Sequence, residues 1–172
     1  GLRDYRPGDA PRRIHWKATA RQQKLVVREY EDAAPPRLLL VVDAWLPANP
    51  TESQLAHFEQ LISLAAGVCR EWRRQAGARL ALAVISKTPR TLDGPPGPGL
   101  TQQMLEMLAL EEGGESGEVK DALQGITRLG LAAPVLFLSS RSNSPHTQSL
   151  TQLLGRAIAS VSVEQRTDWV RW

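Results

Sequence analysis

Asp43 is the first residue whose type and position suggest chemistry, because it directly follows an apolar run, RLLLVV, at residues 37–42. An aspartate at the carboxyl end of a buried strand can hold a hard cation when nearby hydroxyls supply further oxygens. Residues 44–47, AWLP, offer no side-chain oxygen. The local sequence therefore favours an aspartate that caps a turn or the following helix over a metal ligand.

Other patterns that would indicate an active site are missing from the sequence. It has no G-x-G-x-x-G, no G-x-x-x-x-G-K-[ST] and no G-x-S-x-G, and the three prolines of residues 94–99, GPPGPG, remove the N–H groups that a phosphate cradle needs. His15, His57 and His146 share no metal-ligand spacing. The single cysteine, Cys69, lies among apolar residues at helical spacing, so we expect it in the core. We predict no catalytic residue and no cofactor.

The opening of the chain carries its basic charge. Residues 1–28 hold eight Lys and Arg against two acids, a local +6, whereas the rest of the chain is at −3, from 13 basic and 16 acidic residues. Such a segment could contact phosphates, with an aromatic side chain stacking on a base. The competing hypothesis is structural: Pro7-Gly8-Asp9 makes a turn with positive φ at Gly8, and arginines pair with Asp9 or with the carboxylates of residues 29–32. Ile14 and Trp16 alternate with polar residues as if one face were buried, and we expect both to dock on the domain.

The remaining sequence alternates buried strands with helices. Apolar runs at 37–42, 79–86 and 134–140 are typical of strands covered on both faces of a parallel sheet. Helices are predicted from Asn49 as N-cap to near Gly77, at 100–110, at 118–129, and from Ser144-Pro145 through Ile158. Shorter strands are predicted at 24–30, around 90–92 and at 160–164. This order predicts an α/β three-layer sandwich with a mostly parallel central sheet, whose ligands bind where the strands end.

The opening resembles the signature of the bacterial domain of unknown function 58 family. The residues that carry the resemblance are Arg3, Tyr5, Gly8, Asp9, Arg12, Ile14, Trp16, Ala20 and Arg21, followed by Leu25, Val27 and Glu29. The strand that ends in Asp43 and the alternation after it are similar to the Rossmann-like von Willebrand factor A domain of that family. We therefore expect a basic signature segment at 1–34 that packs on a von Willebrand factor A-like domain at 35–172.

The resemblance also implies a place for a metal-ion-dependent adhesion site, from which this sequence departs. Trp45 and Pro47 stand where two serines belong after Asp43, and the third run ends in Ser139 and Ser140 with no aspartate in residues 139–143. Arg141 would bring a positive charge close to the cation. Because a divalent ion needs about six oxygen ligands, we expect a degenerate loop at Asp43, Trp45, Ser139 and Ser140 that holds no metal and is available for protein contacts.

The family implies a context rather than a reaction. Its members resemble membrane-anchored proteins that act with a MoxR-type AAA+ ATPase in chaperone-like complex assembly or activation. We expect this chain to be a soluble piece of a longer parent at the cytoplasmic face of the bacterial membrane. We expect membrane contact only through the parent's missing amino-terminal part. The leading hypothesis is a non-enzymatic scaffold with a protein partner. The alternatives are nucleic-acid binding by the basic opening and a hydrolase built on Asp43, and the sequence favours both less.

Overall fold

The computed structural model describes residues 2–28, 35–75, 77–95, 97–115 and 117–164, which form two units, residues 1–34 and 35–172. The strands are β1 (Leu2–Asp4), β2 (Val26–Arg28), β3 (Arg37–Asp43), β4 (Arg79–Ile85), β5 (Arg90–Asp93), β6 (Val135–Ser139) and β7 (Ala159–Ser162). The helices are α1 (Trp16–Gln22), α2 (Glu52–Trp72), α3 (Pro98–Ala109), α4 (Val119–Leu123), α5 (Arg128–Leu131) and α6 (His146–Leu154), with a 3-10 turn at Pro11–Arg13.

The second unit is built on a five-stranded sheet in the order β5-β4-β3-β6-β7. β4, β3, β6 and β7 are parallel neighbours, and β5 is antiparallel at one edge. Because β3 lies in the centre, all of its residues from Leu38 to Asp43 are buried, which explains a run with no polar alternation. The predicted α/β sandwich with a mostly parallel sheet is confirmed.

Alternate residues of the central strands build two separate cores. On one face Leu40 and Leu82 pack with Leu61 of α2 and Met104 of α3. On the other face Val41, Ala83 and Phe137 pack with side chains of α4 and α6, including Leu150. Helices therefore cover both faces of the sheet. The four parallel strands all end on the same side of it, which we call the carboxyl edge. Cys69 of α2 is buried in the first of these cores, as the helical spacing predicts.

Three predicted helix boundaries are wrong. Thr51, not Asn49, caps α2, because its hydroxyl accepts from the Gln54 N–H while the Gln54 side chain accepts from the Thr51 N–H. The helix predicted at 118–129 is two helices, since the Thr127 N–H donates to the Asp93 carboxylate and the Thr127 hydroxyl starts α5. α6 ends at Leu154, because Gly155 takes a left-handed conformation and cannot carry the helix to Ile158.

The first unit is a small antiparallel pair with one short helix. β1 pairs with β2, and Ile14 forms an isolated bridge to Val27 on the other side of β2. α1 follows at once, where the sequence shows an alternation of apolar and polar residues. Trp16 begins that helix and is 66% exposed. The expected docking of Trp16 on the second unit stays a prediction. Ile14 is half-buried.

Among the described residues, no helix combines the length and the apolar character that crossing a membrane requires.

Candidate functional site

Asp43 lies at the carboxyl edge of the sheet, at the end of its central strand, and is fully buried. It is the last residue of β3, and its neighbours in register are Ile85 of β4 and Ser139 of β6. A buried carboxylate is costly unless donors surround it. The chain therefore has to bring polar groups to this point, and the loop between β6 and α6 supplies them.

Three side chains of that loop converge on one oxygen of Asp43. Ser144 Oγ donates to Asp43 Oδ2 at 2.7 Å, Ser139 Oγ at 3.1 Å and Arg141 Nε at 3.3 Å. The Arg141 N–H also donates to Ser139 Oγ, so the backbone and the side chain of this arginine hold the same cluster together. Asp43 accepts hydrogen bonds from a segment about a hundred residues later in the chain, which spacing along the sequence could not reveal. That Asp43 also caps a turn or the following helix stays a prediction.

Trp45 contacts the Asp43 cluster and is itself partly exposed to solvent. The Arg141 guanidinium lies over the Trp45 ring, 4.6 Å from its centroid, a distance typical of a cation–π contact. Ser140 Oγ donates to the Trp45 carbonyl at 2.9 Å. Both Trp45 and Arg141 are half-buried. The structure thus brings together all four residues of the expected degenerate loop, Asp43, Trp45, Ser139 and Ser140, at one edge.

A turn at Gly113 and Gly114, which follows α3, pairs with the backbone of Trp45 and Leu46. Trp45 forms a parallel bridge with Gly114, and the Leu46 N–H donates to the Gly114 carbonyl. Gly113 has a φ of +73°, and a Cβ at this position would stand 3.0 Å from Leu46 Cβ. The turn therefore needs glycine both for its backbone conformation and for close packing. This turn fixes the backbone of Trp45, while Arg141 packs on one face of its ring.

His146 is a member of the cluster that sequence reasoning did not connect to it. Its Nε2 is buried without a hydrogen-bond partner, 3.9 Å from Asp43 Oδ1. Burial lowers the pKa of His146 below its usual range, Asp43 acts in the opposite direction, and the nearby Arg141 lowers it further. Arg141 is therefore the cation of the cluster at neutral pH. His146 also lines a cavity of about 500 Å³ with Lys120 and Ser149.

A divalent cation does not fit this arrangement. The cluster offers one carboxylate and two serine hydroxyls, and the Arg141 guanidinium contacts the carboxylate oxygen that those hydroxyls share. A cation there would face a fixed positive charge and would lack about half of its oxygen ligands. Within the described residues, no three His, Cys, Asp or Glu side chains are grouped as a metal site.

The hydroxyls of the cluster are not arranged as nucleophiles. Ser144 and Ser139 donate to Asp43, and His146 Nε2 has no hydrogen-bond partner. An activated serine needs a base that accepts its proton and a third group that orients the base. What this geometry does provide is a buried ion pair that fixes the position of an aromatic side chain at the sheet edge.

The signature residues lie in the first unit, where the predicted turn is confirmed. Arg3 binds Asp9 through two hydrogen bonds of 2.7 and 2.8 Å, and the Arg6 N–H donates to the same carboxylate. These donors, the Arg3 guanidinium first, lower the pKa of Asp9 to about 2. Gly8 has a φ of +106°, as predicted for the turn. Arg12, Ala20 and Arg21 are exposed, and Tyr5 is half-buried.

Ser144 and His146 are the site residues that the sequence analysis missed. It placed Ser144 only at a helix start and found no role for His146. The available signal was the hydroxyl-rich segment SSRSNS at residues 139–144, which follows a buried strand next to the one that ends in Asp43. The predicted pairing of arginines with residues 29–32 lies outside the described residues.

Comparisons with known proteins agree with the signature. The sequence profile described as "Protein of unknown function DUF58" matches residues 1–157. The "Uncharacterized protein YeaD" of Bacillus subtilis (strain 168) is 28% identical over 109 residues, which cover 63% of this chain and 25% of that protein. The chain thus corresponds to about a quarter of that relative's length. Among solved structures, "proximal thread matrix protein 1 (PTMP1) from the mussel byssus" matches with a TM-score of 0.45 and 9% identity, covering 75% of this chain and 37% of that one.

Proposed function

Because this chain belongs to the DUF58 family of proteins of unknown function, we propose from its own geometry that the second unit is a non-enzymatic protein-interaction module. Its binding face is the sheet edge at Trp45 and Arg141, and it works without a metal ion. The observation that carries the proposal is the neutralisation of the buried Asp43 by Arg141, which is stacked on Trp45. The Arg141 guanidinium would thus balance the charge of the buried Asp43 carboxylate, as a bound metal ion would otherwise do.

The composition of this edge supports a protein partner. Tryptophan and arginine are the residue types most enriched in the energetic centres of protein interfaces. Here the pair is held in advance: the Trp45 carbonyl and backbone are fixed by Ser140 and Gly114, and Arg141 is fixed by Asp43. A side chain that is already ordered loses little conformational entropy on binding, which favours affinity.

The partner that we propose is a MoxR-type AAA+ ATPase, with which the protein would act in chaperone-like complex assembly or activation. Support comes from the family context that the opening signature implies, since the geometry alone selects no particular protein. The same context supports a location at the cytoplasmic face of the bacterial membrane, reached through a longer parent protein.

The test is a binding titration between the 172-residue chain and a MoxR-type AAA+ ATPase of the same organism, with a non-hydrolysable ATP analogue present. We expect Trp45→Ala to weaken binding on the order of tenfold, as for an interface anchor, and Trp45→Phe to restore part of the loss. Leu64→Ala, at an exposed position of α2, is the matched control. Equal affinity for all four proteins would remove the proposed face, and no binding by any of them would remove the partner.

Independence from metal has its own variant. Asp43→Asn keeps the shape of the side chain and removes the charge that a cation would require. If the face acts through packing, the folded Asp43→Asn protein still binds the ATPase, whereas a face that acts through a metal loses binding altogether. Circular dichroism of the variant shows whether it is folded.

A further inference from the structure

The basic charge of the first unit is gathered on a stretch without acids. Residues 10–28 contain six Lys and Arg and no Asp or Glu. The two acids that precede it are already engaged, because Asp9 binds Arg3 and Asp4 lies 2.9 Å from Lys24. Lys24 is therefore the cation of this stretch that pairs with a carboxylate of β1, while Asp9 is engaged by Arg3, which precedes the stretch.

Part of this charge lies close in sequence to an exposed indole. Arg12, Arg13, Lys17 and Arg21 are all exposed, and Trp16 is 66% exposed. We call these five residues the basic helix patch. Lys17 and Arg21 lie four residues apart in α1 and so share a helix face, next to the one that carries Trp16. A large exposed aromatic among cations is an unusual surface for a segment of this size.

The local structure holds this patch in one conformation. The His15 side chain caps α1 by accepting from the Ala18 N–H, and the Thr19 hydroxyl accepts from the Val26 N–H of β2. Ala18 is buried at the same contact. The exposed side chains therefore project from a helix that is tied to the strand pair.

We propose that the basic helix patch docks onto an acidic surface of the protein partner, with Trp16 as the apolar anchor. This inference rests on the proposed function and names the chemistry of its partner. Charge complementarity steers association, and the Trp-and-Arg composition matches an interface centre.

Two features favour protein over nucleic acid as the occupant. Proteins that bind single strands line a groove with successive aromatic side chains, whereas the other aromatic residue of the described part of this unit, Tyr5, is half-buried. Arginine outnumbers lysine three to one in the patch, and arginine is the cation that protein interfaces enrich.

The experiment compares two variants with the same change in net charge. Lys17→Glu with Arg21→Glu reverses the patch, and Arg70→Glu with Arg128→Glu reverses two exposed arginines of the second unit. The probe is the AAA+ ATPase of the previous section, titrated at about 50 and about 300 mM salt, because screening weakens surface charge interactions. We expect the patch reversal to weaken binding at least tenfold at low salt, Trp16→Ala to weaken it severalfold, and the matched control to bind as the unmodified chain does.

The outcomes separate the two proposals. Equal binding by the patch reversal and the control overturns the docking inference and leaves the proposed function standing. If no variant and not even the unmodified chain binds, the proposed function fails and the docking inference fails with it. If a 20-nucleotide dT strand or phosphatidylserine vesicles bind the chain and lose it in the patch reversal, while the ATPase is unaffected, the patch serves another class of partner and the inference is overturned.

Discussion

Replacing Arg141 with methionine tests whether the buried charge of Asp43 depends on its internal partner. Methionine keeps an unbranched apolar stem over the Trp45 ring and removes the guanidinium. At 3.3 Å the attraction between the two charges is about 5 kcal/mol at an effective dielectric constant of about 20, and leaving a buried partner unpaired costs about 3–5 kcal/mol. Since Ser139 and Ser144 still donate to the carboxylate, we expect about 3 kcal/mol of lost stability at pH 8.

The assay is urea unfolding at pH 8 for Asp43→Asn, Arg141→Met and the double variant. Asp43→Asn alone leaves Arg141, which is 23% exposed and can reach water, so we expect a cost of about 1–2 kcal/mol. The double variant should be more stable than the sum of the single costs predicts, by at least about 1.5 kcal/mol. Additive costs, or a loss below about 1 kcal/mol for Arg141→Met, would refute the ion pair as the support of this edge.

Three further predictions concern single titratable groups. Burial lowers the folded pKa of His146, so its contribution to stability is present above its unfolded pKa near 6.5 and is lost as pH falls. His146→Gln should therefore reduce the slope of unfolding free energy against pH between about pH 5 and 7. Identical slopes for the variant and the unmodified chain would contradict this. Burial raises the pKa of the Cys69 thiol to about 12, so a disulfide reagent at pH 8 should label it only after denaturation, and rapid labelling of the folded chain would contradict the core position. The Asp9 carboxyl should titrate by NMR near its pKa of about 2, so that the Arg3–Asp9 contact and its stabilisation are lost only as pH falls below 3.8 toward 2; a midpoint near 3.8 would contradict the paired turn.

The strands and layers were predictable because burial on both faces leaves a strong pattern. The runs that became β3, β4 and β6 lie within one residue of their predicted bounds. Charge and turn chemistry likewise identified the Pro7-Gly8-Asp9 turn, since glycine and aspartate have specific local roles there. These signals are local in sequence, so one chain is enough to find them.

The errors arose where a contact joins distant parts of the chain. The split between α4 and α5 depends on Asp93, 34 residues before Thr127, and the serines that donate to Asp43 lie beyond Phe137. The alternation of apolar and polar residues at 13–17 does not reveal the helix that His15 caps there. The sequence did indicate that the positive charge of Arg141 lies near Asp43. It could not show that Ser144 and His146 belong to the same cluster.

We propose that the edge at Trp45 and Arg141 binds the AAA+ ATPase, and hydrogen–deuterium exchange of the chain with and without the ATPase measures this. Backbone amides at residues 44–46, 140–144 and 146 should exchange more slowly when the ATPase is added, and this protection should be weaker in Trp45→Ala at the same ATPase concentration. Unchanged exchange at these amides, with protection elsewhere in the second unit, would contradict it.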